Sequence, residues 1–248
     1  MRGAPVWAVL AFMAAGARAD ETQWRDMESR IQYGYYTEDS RALQNLQAGL
    51  AVDESHDQLR GYYAALVAWR LAQLALQHPA PQAASPGQLA QRCVSALDGV
   101  LEAQADYAEA LALRAACLGL PLAAGGLHAP FAGRKPRKDI ERALQLAPRD
   151  PRVLLLDALG DYELPPALGG NKERALVKLR ATVAAFEQER TSTEPLPGWG
   201  AAEAYLFLGR SLFEHGDAVA ARDALEHALL LAPQYVPARA LMAKITSG

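Results

Sequence analysis

The chain has 248 residues, of which 51% are hydrophobic and 7% aromatic, and a formal net charge of −3 at pH 7. That balance argues against a general binder of nucleic acid or anionic membrane, since both attract basic surfaces. The length fits one elongated domain or one array of repeats, and abundant alanine with few aromatics suits closely packed helices more than a sheet-based enzyme.

The N-terminus reads as an export signal. Met1-Arg2 gives a charged start, Val6 to Ala15 an apolar run, and Ala17-Arg18-Ala19 a small-residue cleavage site before Asp20. The run is shorter than the roughly 20 residues of a membrane span, and no later stretch is long and apolar enough for one. The expected division is a signal peptide over 1–19 and a mature domain over 20–248, periplasmic or secreted after cleavage near Ala19. Cleavage would remove Arg2 and Arg18 and no acid, moving the formal charge from −3 to −5. No cysteine follows the cleavage site, so no residue for lipid attachment is present there.

Beyond the leader, apolar residues recur at helical spacing almost everywhere, and no stretch has a convincing period of two. With breaks at Gly, Pro and short polar runs, the spacing predicts helices over 21–34, 38–51, 57–77, 87–103, 107–119, 136–146, 151–163, 171–189, 200–214, 218–231 and 235–246. They fall into five successive pairs and a final single helix. In the first pair, Trp24, Met27 and Ile31 carry one stripe and Ala42, Leu46 and Gly49 the facing one. Leu97 and Val100 mark the end of the second pair, with Cys93 at a small position. The third begins with Leu111, Ala115 and Leu118 and ends with Ile140, Ala143 and Pro148. It is interrupted by an insertion, Pro121 to Lys135, and Pro136 then forces a late or short second helix. The fourth has Leu154 and Ala158, then Gly170, Ala175 and Leu179, with Thr182 where a small residue is expected. The fifth is the most regular, with Tyr205, Leu208-Gly209, Leu212, Gly216, Ala221, Leu225, Ala228 and the helix-stopping Pro233.

That last set matches, position for position, the large, small and helix-ending residues of a repeat of about 34 residues. Over 202–235 the chain closely resembles the tetratricopeptide repeat (TPR) family, and the resemblance weakens upstream. In the fourth pair an insertion of about five residues, Leu164 to Gly170, separates the halves. The resemblance implies an all-α, right-handed α-solenoid of about five TPR-like helix pairs. Residues 235–246 then form a cap, with Tyr235, Ala238, Leu241 and Met242 as its buried stripe. Leu208, Gly209, Ala221, Leu225, Ala228 and Pro233 are the packing residues of the repeat at 202–235.

No spaced motif of catalysis, phosphate binding or metal ligation is present, and none of the five histidines pairs with another ligand at metal spacing. His215 and His227 read as solvated surface residues. Gly169-Gly170-Asn171-Lys172 reads better as a turn glycine and a helix N-cap than as an anion site. Arg134, Lys135, Arg137 and Lys138 form a basic cluster without interleaved aromatics, a solvated face or a contact for an acidic partner. Cys93 and Cys117 lie on successive antiparallel helices, each about a dozen residues from the turn near Ala105-Asp106, so they sit at matching heights. An exported chain with two cysteines permits a bridge, and two buried thiols remain the alternative.

Two binding faces follow. The insertions at 121–135 and 164–170 belong to successive pairs and project from one edge, where Phe131, Arg134 and Lys135 are candidates. The resemblance also implies an inner groove lined by first-helix residues, here Arg152, Leu155, Leu159, Tyr162, Glu203, Leu206, Arg210 and Phe213. Arg152, Tyr162, Arg210 and Phe213 are its partner-binding candidates. The function expected is an exported, non-enzymatic protein-protein interaction scaffold or assembly factor, with no cofactor, metal or nucleic acid. The alternative is a small-molecule-binding accessory of an envelope transporter. An enzyme would need polar residues assembled by the fold, such as His128, Glu163 and Lys172.

Overall fold

The computed structural model describes residues 7–52, 58–79, 83–123, 136–189 and 196–247. These form eleven α-helices, one 3-10 turn and no strand: α1 (Trp7–Tyr36), α2 (Ser40–Val52), α3 (Gln58–Gln77), α4 (Pro86–Ala103), α5 (Ala108–Ala123), α6 (Pro136–Leu146), α7 (Pro151–Glu163), the 3-10 turn Pro166–Leu168, α8 (Lys172–Glu189), α9 (Ala201–Glu214), α10 (Ala218–Leu231) and α11 (Val236–Ser247). The all-α expectation holds, and most boundaries fall within a residue or two of the periodicity. Their chemistry is local. Ser85 and Gln88 form a reciprocal capping box ahead of Pro86, and Asp150 accepts from the N–H groups of Arg152 and Val153 ahead of Pro151. Asp39, Asn171 and Asp217 cap α2, α8 and α10 by accepting from Ala42, Arg174 and Ala220.

Two boundaries differ. α1 begins at Trp7, not near 21, because the alanine-rich stretch Ala14–Ala19 favours helix and contains no breaker stronger than Gly16. α5 runs to Ala123, past Pro121, where a proline near a helix end removes one hydrogen bond without splitting the helix.

Each helix packs on the next along the chain, and α1 also meets α3, α3 meets α5, α5 meets α7 and α9 meets α11. The α9–α10 hairpin crosses closely. A Cβ on Gly209 would stand 3.0 Å from Leu225 Cγ and 3.1 Å from the Ala221 carbonyl oxygen, so only glycine fits without displacement. Ala221, Leu225 and Ala228 are fully buried at that crossing, Leu208 is partly buried, and Pro233 is exposed beyond the end of α10. Thr182, the departure from a small residue, is also fully buried. Its hydroxyl is satisfied by donating to the Lys178 carbonyl at 2.9 Å.

Cys93 of α4 and Cys117 of α5 are joined in a disulfide with a Cα–Cα distance of 6.3 Å, so the two cysteines face one another as well as matching in height. No described helix is long and apolar enough to cross a membrane.

Candidate functional site

Glu203, Leu206, Arg210 and Phe213 share one face of α9, at successive spacings of three and four residues. At the N-terminal end of that face, side chains of α1 and α3 meet α9 and the residue that leads into α11. Glu203 is 1% exposed and forms an ion pair with Arg70 of α3, itself 1% exposed. The Tyr36 hydroxyl donates to the second Glu203 oxygen at 2.7 Å. The Arg70 guanidinium lies 4.0 Å from the ring centroid of Tyr35, 4.5 Å from Trp69 and 4.9 Å from Trp199. Tyr235, leading into α11, stacks obliquely on Tyr36 with centroids 4.4 Å apart. Burial disfavours the charge on Arg70, but Glu203 and the surrounding tyrosines outweigh it and hold its pKa above the ordinary value.

The segment over 196–200 completes the closure. It carries no helix or strand and lays Trp199, 1% exposed, against α3. Trp199 Nε1 donates to the Tyr62 hydroxyl at 3.0 Å, and the Gly198 N–H donates to the Glu28 carboxylate at 2.9 Å. The Tyr63 hydroxyl donates to the same carboxylate at 2.8 Å. Burial nevertheless raises the Glu28 pKa, against those two donors.

These contacts bury much of the inner face at which groove residues were expected. Leu155, Leu159, Leu206 and Glu203 are buried. Arg152, expected to meet a partner, is 4% exposed and committed within the chain: its Nε donates to Glu109 at 2.7 Å and its Nη1 to Glu189 at 3.0 Å. Burial pushes the Glu109 carboxyl up to about 8, with Arg152 pulling it down. Tyr162 is buried too, edge-on to Phe207 with centroids 5.4 Å apart, and its hydroxyl donates to Glu214. A buried arginine needs charged partners, and three acids supply them here.

The C-terminal end of the same face is different. Arg210 and Phe213 are half-buried. Arg210 lies 5.3 Å from the Phe207 ring centroid and has no hydrogen bond or ion pair with any described residue. Lys172 stands 3.3 Å from the Tyr162 ring centroid and 3.2 Å from Glu214, and Lys244 lies 5.4 Å from the Phe213 centroid. Glu163 at the end of α7 is exposed at the surface, with neighbouring protein packed around its carboxyl. That surrounding desolvates its carboxyl and pushes it up to about 7, with Arg210 and Lys172 opposing. Three cations and three rings at this end offer ion pairing and stacking to an acidic, partly apolar group.

Of the remaining candidates, His128, Phe131, Arg134 and Lys135 lie outside the described residues. The second insertion is tied down. Gly170 N–H donates to the Pro165 carbonyl at 3.1 Å, Asn171 N–H to Asp161 at 2.8 Å, and Arg174 Nη2 to Gly169 at 2.7 Å. His215 contacts the Ser211 carbonyl at 2.6 Å and Glu173 at 3.1 Å, while His227 stacks on Tyr205. No set of His, Cys, Asp and Glu among the described residues is placed to hold a metal ion.

Sequence reasoning missed Arg70, Glu28 and Trp199. Two signals pointed to them. Residues 62–74 are apolar on every face except at Arg70 and Gln73, the pattern of a fully buried helix whose arginine must have a partner. Trp199 sits between two glycines in a stretch otherwise read as a connection. Comparison of the chain with protein-family models and with curated proteins finds no match.

Proposed function

We propose that this chain is an exported, TPR-like binding protein, a right-handed solenoid of five helix pairs with a capping helix, whose work is capture of a protein partner and not catalysis. The observation that supports it is Arg210. A half-buried guanidinium beside Phe207 and Phe213, without a hydrogen-bonded partner among the described residues, suits an incoming carboxylate on an acidic segment. The closed end of α9 confines that contact to the turns at the C-terminal ends of α7 and α9, so the partner docks at an end and does not thread the groove. The disulfide agrees with an oxidising compartment.

The test is capture from envelope extract with protein beginning at Asp20, in parallel with Arg210→Glu. A partner held by the native chain and lost by the folded variant supports the reading. An identical set of captured proteins from both removes Arg210 from recognition.

A further inference from the structure

A cavity of about 650 Å3 lies between α2, the C-terminal part of α3 and the first turns of α4. That is within the range of roughly 300–1,000 Å3 typical of small-molecule sites. Its floor is apolar, from Leu71, Ala75 and Leu89, and its rim carries Gln47, His78 and Arg92 from three different elements. No acidic side chain lines it among the described residues, and Arg92 is the one lining group with a fixed charge. In a chain of net negative charge, a pocket whose fixed charge is positive selects for anions.

The rim is held in place. Arg92 Nη1 donates to Gln47 Oε1 at 3.2 Å, which sets the guanidinium at the mouth and leaves its other donors without a hydrogen bond to any described residue. His78 Nε2 lies 3.1 Å from Glu38 Oε2. Glu38 occupies the turn before the capping Asp39 with φ +57°, a left-handed backbone that L side chains avoid. The corresponding position before Asp217 holds Gly216 at φ +85°. Glycine is therefore the less strained choice, and the carboxylate kept at 38 is the one that holds the His78 ring on this rim.

We propose that this cavity binds a small amphipathic anion. An aliphatic chain lies on Leu71, Ala75 and Leu89, and a carboxylate at the mouth accepts from Arg92. This site is separate from the open end of α9 and does not depend on a protein partner there.

The probes are decanoate and decyltrimethylammonium, which share a chain length and differ in the sign of the head, titrated calorimetrically into the protein. Decanoate is expected to bind saturably, one per chain, and about tenfold or more tightly than the cation. Arg92→Gln is expected to erase that preference, and Ala75→Trp, which fills the cavity, to abolish binding while the thermal transition is kept. Should Ala75→Trp fail to fold, Ala84→Trp fills the same space from the segment before α4. Equal affinity for the two heads, no saturable decanoate binding, or decanoate binding undiminished in a folded cavity-filling variant each overturns the proposal.

Discussion

Glu203 and Arg210 stand two turns apart on the same face of α9, yet one is sealed and the other is available. Glu203 is matched by a buried arginine and a tyrosine hydroxyl, and four aromatic rings lie against that arginine or that tyrosine. Arg210 has an aromatic neighbour and makes no hydrogen bond or ion pair with a described residue, although it acts electrostatically on Glu163. A charge costs several kcal/mol to bury and is retained inside only when its partners are already in the chain. The first end is therefore fastened by internal pairing, and the second is the end at which the proposed partner would dock.

The largest way to break the comparison is Glu203→Ala. It leaves the Arg70 guanidinium buried without its counter-charge and is expected to cost about 3–5 kcal/mol, read as a lower urea midpoint. Replacing both residues, as Arg70→Met with Glu203→Leu, is expected to cost much less, because no orphaned charge remains. A loss below about 1 kcal/mol for Glu203→Ala would show that α3 and α9 do not meet in solution.

Two effects of intermediate size test the packing on either side. Removing the disulfide as Cys93→Ala with Cys117→Ala releases a loop with a sequence separation of 24. In the chain-entropy account this costs roughly 3 kcal/mol, checked by denaturant unfolding of both forms. Ala221→Leu forces four-carbon bulk against Gly209 at the closest crossing of α9 and α10, and is expected to cost about 1–3 kcal/mol. An unchanged melting curve for Ala221→Leu would mean that the register of this hairpin is wrong.

Most helices were readable in the sequence because they declare their limits within a few residues. Pro136, Pro151, Ser85 and Asp217 act on the backbone beside them, and apolar spacing does the rest. The facing of Cys93 and Cys117 was readable only in part, since helix length gives height along the axis but not rotation about it. The closure of the inner face was not readable by such means. Arg70 and Glu203 are 133 residues apart, and Gly198 and Glu28 are 170 apart, so neither partner shapes the sequence near the other. What local pattern does supply is the need for a partner: an arginine in an otherwise apolar helix, and a tryptophan in a connection. Arg152 was misread for the same reason. On a first-helix face it looks like a ligand contact, and its partners Glu109 and Glu189 lie 43 and 37 residues away.

The smallest effect on stability belongs to Arg210 and carries the sharpest information about the open end. Arg210→Ala removes no hydrogen bond or ion pair with a described residue, so its cost is expected to stay below about 1 kcal/mol. Its effect is instead on Glu163, whose carboxyl is pushed up to about 7 by desolvation while Arg210 and Lys172 pull it down. Between the ordinary value of 4.5 and about 7, the folded chain keeps a proton that the unfolded chain has released. Its stability therefore falls as pH rises through that window and is level above it. Losing Arg210 takes away a stabiliser of the ionised form. The Glu163 midpoint, followed by carbon NMR of its carboxyl, is then expected to rise further, and the falling limb of stability to extend to higher pH. Glu163→Gln is expected to flatten that limb in either background. A midpoint that ignores Arg210→Ala would separate the two side chains, and with them the surface at which an acidic partner is expected to dock.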